Sequence, residues 1–472
     1  MEIMVLVFIL GYFLIAVEHK IKVDKAAIAL LTGGLLWVLY ILLSPLTVTE
    51  VFPVHFKEFI HNNHDISALS LIEQCRKYIV DVHIIESLGE ISETLFFLLG
   101  AMTIVELIDV HGGFSIITNR ITTKEKRKLL VIISFITFFM SAVLDNLTTS
   151  IVMVMLLRKI IPNYKERWIF ASMIIIAANS GGAWSPIGDV TTIMLWVDGK
   201  ISSVPLITQL FVPSLISMIV PLGIATRMVK GVITTSTKYA SSVHNPTHAL
   251  TDRERTTLFI TGVLALVYVP VFKYFTHLPP FVGVLIGLSI VWIYTEYLYQ
   301  KKPNITEDVK HRVTRVLRRI DTATILFFLG ILLAVGALQG TGVLNIAGQF
   351  LNEKVHDIYI INIIIGVLSS IVDNVPIVAV AMGMYPVVDP STLATIANPE
   401  FMQSFVQDGN FWLFLAYCAG VGGSILLIGS VSGVVVMGIE KIRFNWYLKN
   451  ISLLALAGYL AGALSFILID IL

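Results

Sequence analysis

The chain has 472 residues, of which 56% are apolar and only 14% charged, with a mean hydropathy of +0.84. Soluble chains run nearer a quarter charged, so soluble, nucleic-acid-binding, coiled-coil and disordered classes are excluded together. A net charge of +1 offers nothing to a polyanion, and the two distant cysteines, Cys75 and Cys418, predict neither a disulfide framework nor a thiolate metal site.

A bilayer-spanning helix needs about 20 mostly apolar residues, and such runs recur from one end to the other. The predicted elements lie near 3–17, 26–43, 90–110, 128–160, 168–197, 205–229, 256–276, 279–299, 321–340, 357–388, 411–439 and 449–472. The first has no basic n-region or small-residue cleavage site, so it reads as a retained helix rather than a signal peptide. Residues 44–89, which include His61 and His64, read as a solvated outer-face loop.

The elements 128–160 and 357–388 are too long for one simple crossing, and each carries Asp-Asn in its middle: Asp145-Asn146 and Asp373-Asn374. Lys and Arg collect in cytoplasmic loops. Arg120, Lys124, Lys126, Arg127 and Lys128 precede the first long element, and Arg158, Lys159, Lys165 and Arg167 follow it. A single crossing would place one cluster outside, whereas a re-entrant hairpin keeps both inside. The second long element has almost no flanking Lys or Arg, which predicts a hairpin entering from the outer face. The resulting expectation is an all-α polytopic membrane protein with about ten transmembrane helices, two re-entrant hairpins, two broken helices and both termini outside, in the cell (inner) membrane.

An internal repeat runs through this plan. Thr94–Gly100 matches Thr324–Gly330, Ser141–Asn146 matches Ser369–Asn374, and Gly181, Gly182 and Gly188 match Gly422, Gly423 and Gly429. The reading is a first repeat over 1–230 (hairpin 128–160, broken helix 168–197), a cytoplasmic linker over 231–255, and a second repeat over 256–472 (hairpin 357–388, broken helix 411–439). Five crossings per half make the second repeat inverted, the plan of secondary transporters with midplane sites.

The stretch from Asn179-Ser180 through Gly181-Gly182, Pro186 and Gly188 to Asp189-Val190-Thr191-Thr192 places helix breakers and small polar side chains in an apolar element. Unwound backbone at membrane depth must be buried or line a cavity. Freed carbonyls with Asn, Ser, Thr and a carboxylate make an oxygen-rich cage suited to a hard cation. The second break, Gly420 to Gly433 with Ser424, Ser430 and Ser432, repeats the pattern without the acid. Close helix packing by small residues is the plainer reading, but it leaves Asp189 unexplained. Asp145 and Asp373 are functional candidates by their depth, and either can also cap the second arm of its hairpin. Thr148 and Thr149 join the first tip, and Glu106 is a further candidate. The breaks and tips carry acids and no Lys or Arg, which points to protons or metal cations rather than anions.

On Ser141–Thr149, Asn179–Thr192 and Ile371–Pro376, the sequence resembles the ion transporter superfamily and, within it, the NhaD-type sodium/proton antiporters, over nearly its whole length. Its Asp-Asn tips depart from the Ser-Asn-Thr tips of the dicarboxylate branch. The resemblance implies two cation-coordinating hairpin and broken-helix pairs, with Na⁺ at Asp145, Asn146, Asn179, Asp189, Asp373 and Asn374, exchange of Na⁺ or Li⁺ for H⁺, and no cofactor. Expected partners are small inorganic cations and the lipid bilayer, with a homodimer as a further expectation and no nucleic acid. Arsenite, antimonite or another oxyanion efflux is the alternative within the superfamily. An intramembrane aspartyl protease would need Tyr-Asp, and a metalloprotease HExxH; the chain has neither.

Overall fold

A chain in hydrocarbon must satisfy its backbone amides within each segment, and helix is what the described residues form, apart from one antiparallel bridge between Glu125 and Val232. The computed structural model describes residues 1–114, 116, 121, 123–161, 163–233, 250–302, 310, 312–355, 357–395 and 398–471. Most of the expected linker, 234–249, and Arg120 of the first basic cluster lie outside them. The principal helices are α1 (Glu2–Ala16), α2 (Lys25–Leu43), α3 (Ile84–Val110), α4 (Lys126–Leu144), α5 (Asn146–Ile160), α6 (Tyr164–Gly182), α7 (Val190–Val197), α8 (Ser203–Met228), α9 (Asp252–Thr276) and α10 (Pro280–Gln300). They continue as α11 (Thr322–Gly340), α12 (Val343–Lys354), α13 (Ile358–Ser369), α14 (Asn374–Met384), α15 (Asn410–Gly422), α16 (Val431–Glu440) and α17 (Ser452–Ile471).

Eight described helices are long and apolar enough to cross a bilayer: Lys25–Leu43, Leu71–Val110, Lys126–Leu144, Ser203–Met228, Asp252–Thr276, Pro280–Gln300, Thr322–Gly340 and Ser452–Ile471. The count differs from ten for physical reasons. Helix α1 has 15 residues, and the elements at 168–197 and 411–439 are each split into two pieces. In turn α4, expected only as a hairpin arm, is 19 residues long.

The expectation of a solvated loop over 44–89 needs correction. Its second half continues straight into α3: Leu71–Tyr78 is helical, Ile79–His83 is wound as a π-turn, and the run ends at Val110. A capping box at Ser70 and Glu73 starts it. Glu73, Arg76 and Lys77 mask an inward face of Cys75, Tyr78 and Ile79, which is buried. His61 and His64, by contrast, are exposed.

The contacts divide the chain into two units. One comprises Met1–Phe96, Asp321–Ile361 and Val375–Phe405. Its centre is the pairing of α2 with α11, where a Cβ on Gly33 would lie 2.6 Å from the Gly330 carbonyl, so the two backbones touch. Trp37 Nε1 donates to the Leu333 carbonyl (3.0 Å) and the Tyr40 hydroxyl to that of Gly340 (2.9 Å).

The other unit comprises Phe97–Ile320, Asn362–Asn374 and Val406–Leu472. Helices α6 and α15 are its axis; α15 is buried all round from Phe411 to Gly422, the pattern of a central helix. Lys126 at the start of α4 pairs with Glu166 at the start of α6 (2.8 Å), and Ser141 Oγ donates to the Ala178 carbonyl (2.6 Å). Helix α4 therefore runs alongside α6 in the same direction. Helix α5 comes back: Asn146 meets Asn179 near the far end of α6, while Arg158 approaches Glu440, which holds Arg167 at its start. Both feet of the first hairpin thus lie at one end of α6 and its tip at the other.

Candidate ion-binding site

The site is assembled where helices stop, within the second unit. At the first tip Asp145 takes φ 83°, ψ 158°, a conformation that costs a non-glycine residue on the order of 1–3 kcal/mol. Its carboxylate caps α5, accepting the Thr148 amide (2.7 Å) and the Thr148 hydroxyl (2.9 Å). The cap and a carboxyl placed at the hairpin tip thus coexist at one residue.

The first broken helix stops at Gly181-Gly182 because the backbones crowd there. A Cβ on Gly181 would come within 2.2 Å of the Phe138 carbonyl oxygen, and one on Gly182 within 2.4 Å of that of Gly188. The second broken helix repeats this: Gly422 faces the Gly366 carbonyl at 2.2 Å and Gly423 that of Gly429 at 2.8 Å. Only glycine allows each hairpin arm to lie directly against its broken helix. Ser141 and Ser369 fasten the contact in the same register, to the carbonyls of Ala178 (2.6 Å) and Ala419 (2.9 Å).

After each break a side chain restarts the helix. Asp189 accepts the Thr191 amide (3.4 Å) ahead of α7, and Ser430 the Gly433 amide (3.2 Å) ahead of α16. Two polar networks then form, and they cross between the halves. In one, Asn146 Nδ2 donates to Asn179 Oδ1 (3.3 Å), Asn179 Nδ2 to Ser430 Oγ (3.0 Å) and Ser432 Oγ to Asn179 Oδ1 (2.9 Å). In the other, Asn374 Nδ2 donates to Asp189 Oδ2 (3.1 Å), and the same oxygen lies 3.4 Å from where a Gly420 Cβ would be. The Asn374 amide therefore meets the restart residue Asp189 directly, whereas Asn146 reaches the restart residue Ser430 only through Asn179. Asp373 and Asp145 remain within electrostatic range of Asp189.

All the predicted tip and break residues are buried except Asp145 and Thr148, which are partly so. The Thr149 and Thr191 hydroxyls are buried without a hydrogen-bond partner, so their oxygens remain available to a ligand. Others are committed: Thr192 donates to the Asp189 carbonyl (2.8 Å), Ser180 accepts from Ser217 (2.8 Å), and Ser424 donates to the Val421 carbonyl (2.7 Å). Glu106 stands apart. It pairs with Arg319 at 3.5 Å and is bonded to none of these side chains. No group of three or more His, Cys, Asp or Glu that could chelate a metal occurs among the described residues. What the breaks offer is a mixed set of carboxylate, amide, hydroxyl and carbonyl oxygens, which suits a hard cation.

The citrate transporter family (CitMHS) matches residues 5–402. The chain is 39% identical to sodium/proton antiporter 1 of Arabidopsis thaliana over 98% of this chain and 72% of that protein. With sodium/proton antiporter 2 of the same plant the identity is 38%, over 98% of both. With the Na⁺/H⁺ antiporter NhaD of Vibrio parahaemolyticus it is 28%, over 90% of this chain and 94% of that one.

The chain belongs to this transporter family. The resemblance to NhaD-type antiporters read from Ser141–Thr149, Asn179–Thr192 and Ile371–Pro376 is borne out, and so is the reading of an all-α polytopic membrane transporter rather than an enzyme. Within this transporter, the sequence reading missed Ser141, Ser369 and Ser217 as fastenings of the site. The first two were legible as the shared first letter of the repeated Ser141–Asn146 and Ser369–Asn374 motif; Ser217 carried no signal.

Proposed function

We propose that this protein exchanges Na⁺, with Li⁺ as a second cargo, for H⁺ across the cell (inner) membrane, and that the crossed networks at the two helix breaks hold the ion. The observation that carries the reading is Asp189: a buried carboxylate at a helix restart, facing the Asn374 amide and followed by Thr191, whose hydroxyl has no partner. The stretches 141–149, 177–192, 369–376 and 420–433 contain no Lys or Arg. An anion such as citrate would meet negative charge here without a countercharge, so the cargo of the relatives named as sodium/proton antiporters fits the site better than citrate.

A carboxylate must shed its proton to hold a cation. Na⁺ and H⁺ therefore compete for Asp189, with Asp145 and Asp373 nearby, and that competition links the two fluxes. Inverted repeats over 1–230 and 256–472, with both termini outside, would supply alternating access by rocking about a midplane site. The test is a dye assay of proton movement in everted vesicles on addition of NaCl, LiCl, KCl or arsenite. A response to Na⁺ or Li⁺ is expected. Silence to both from pH 6.5 to 9.5 would overturn the reading, and a response to arsenite alone would replace it with oxyanion efflux.

A further inference from the structure

The network of Asn146, Asn179, Ser430 and Ser432 hangs from three helices, α5, α6 and α16. All three return to one residue at their other ends. Glu440 is the last residue of α16, and its side chain has no exposure to solvent. Arg167 Nε, in the first turn of α6, donates to its Oε2 at 2.7 Å. Trp168 Nε1 donates to its backbone carbonyl at 3.0 Å, and Arg158 Nε, in the last turn of α5, lies 3.6 Å from its Oε1. Arg167 is fixed in turn by donating to the Ile161 carbonyl at 2.8 Å. At 1.5 Å per residue the carboxylate sits about 18 Å from the network along α5 and α6, and about 15 Å along α16.

A buried carboxylate is costly, and apolar side chains would hold three helices together without that cost. What the charged, directional contact adds is register. A slide of one residue's rise, about 1.5 Å, would break a network whose bonds are near 3 Å. We propose that Glu440 is a positioning residue for ion exchange: it fixes the axial register of α5, α6 and α16 so that the tip amide, Asn179 and the two serines meet. The proposal rests on the exchange reading above only for its transport readout.

In vesicles, Glu440→Gln should raise the Na⁺ concentration for half-maximal exchange roughly tenfold, as for other residues that orient ion ligands, with the maximal rate per molecule little changed. The swapped pair Arg167→Glu/Glu440→Arg should bring half-saturation back toward wild type. An unchanged half-saturation, or a loss of rate that only follows the amount of protein, would overturn the proposal. A second readout needs no transport. With Cys75 and Cys418 replaced by alanine, cysteines at 179 and 430 should cross-link readily on oxidation, and more slowly once Glu440→Gln is added. Equal cross-linking rates would overturn the proposal even if wild-type vesicles gave no Na⁺ response, a silence that would instead sink the exchange reading.

Discussion

Asp189 and Ser430 hold equivalent places, each the residue that restarts a broken helix, yet only one carries charge. Their neighbours are exchanged in compensation: Asn179 stands beside Ser430, whereas its counterpart Gly420 leaves room beside Asp189. The two networks should therefore answer differently to pH. Asp189→Asn keeps the cap and the shape but removes the titratable group, so Na⁺-driven proton movement should vanish while the protein stays in the membrane. Ser430→Ala loses a helix cap, worth about 1 kcal/mol, and loosens Asn179; it should weaken apparent Na⁺ affinity by a similar factor at every pH. Apparent affinity measured against pH for both variants checks the pair, and equal pH shifts would show that the networks titrate alike. The candidates Asp145, Asn146, Asn179, Asp189 and Asn374 were legible because polar residues in apolar elements demand a reason. Their pairing was not, since nothing local says that Asn374 will meet Asp189, 185 positions away. Glu106 was singled out by the same logic, and it lies apart from both networks, paired with Arg319 at 3.5 Å.

At the scale of elements, breaks were easier to read than beginnings. Glycines at 181, 182, 422 and 423 announced both discontinuities, and the structure shows why no other residue fits: each lies against a carbonyl oxygen. The start of the helix leading into α3 was hidden, because Glu73, Gln74, Arg76 and Lys77 dilute the apolar signal while Cys75, Tyr78 and Ile79 pack inward. The first hairpin was read from charge, and its feet meet at the Glu166–Arg167 end of α6. Which face of the membrane it enters from is a matter for labelling. Cysteines at 124 and 163 should react with an impermeant maleimide only from the cytoplasmic side, and cysteines at 354 and 394 only from outside. Opposite-side labelling within either pair would turn that element into a crossing and remove the inverted-repeat proposal.

For the whole molecule, the lengths of the hairpin arms have an electrical consequence. From Arg158 to Asn146 helix α5 rises about 18 Å, a little over half of a hydrocarbon layer about 30 Å thick. If that hairpin dips in from one face of the bilayer as proposed, an ion travelling from its foot to its tip falls through roughly half of the membrane voltage. One charge crossing the full field exchanges about 2.3 kcal/mol per 100 mV, so reaching the tip is worth about 1 kcal/mol for the same step. Apparent Na⁺ affinity in proteoliposomes should consequently change several-fold when an imposed diffusion potential is stepped by 100 mV. A voltage-independent affinity would mean that water carries the bulk potential down to the tips, so that the whole field drops across the few residues between Asn146 and Asn374.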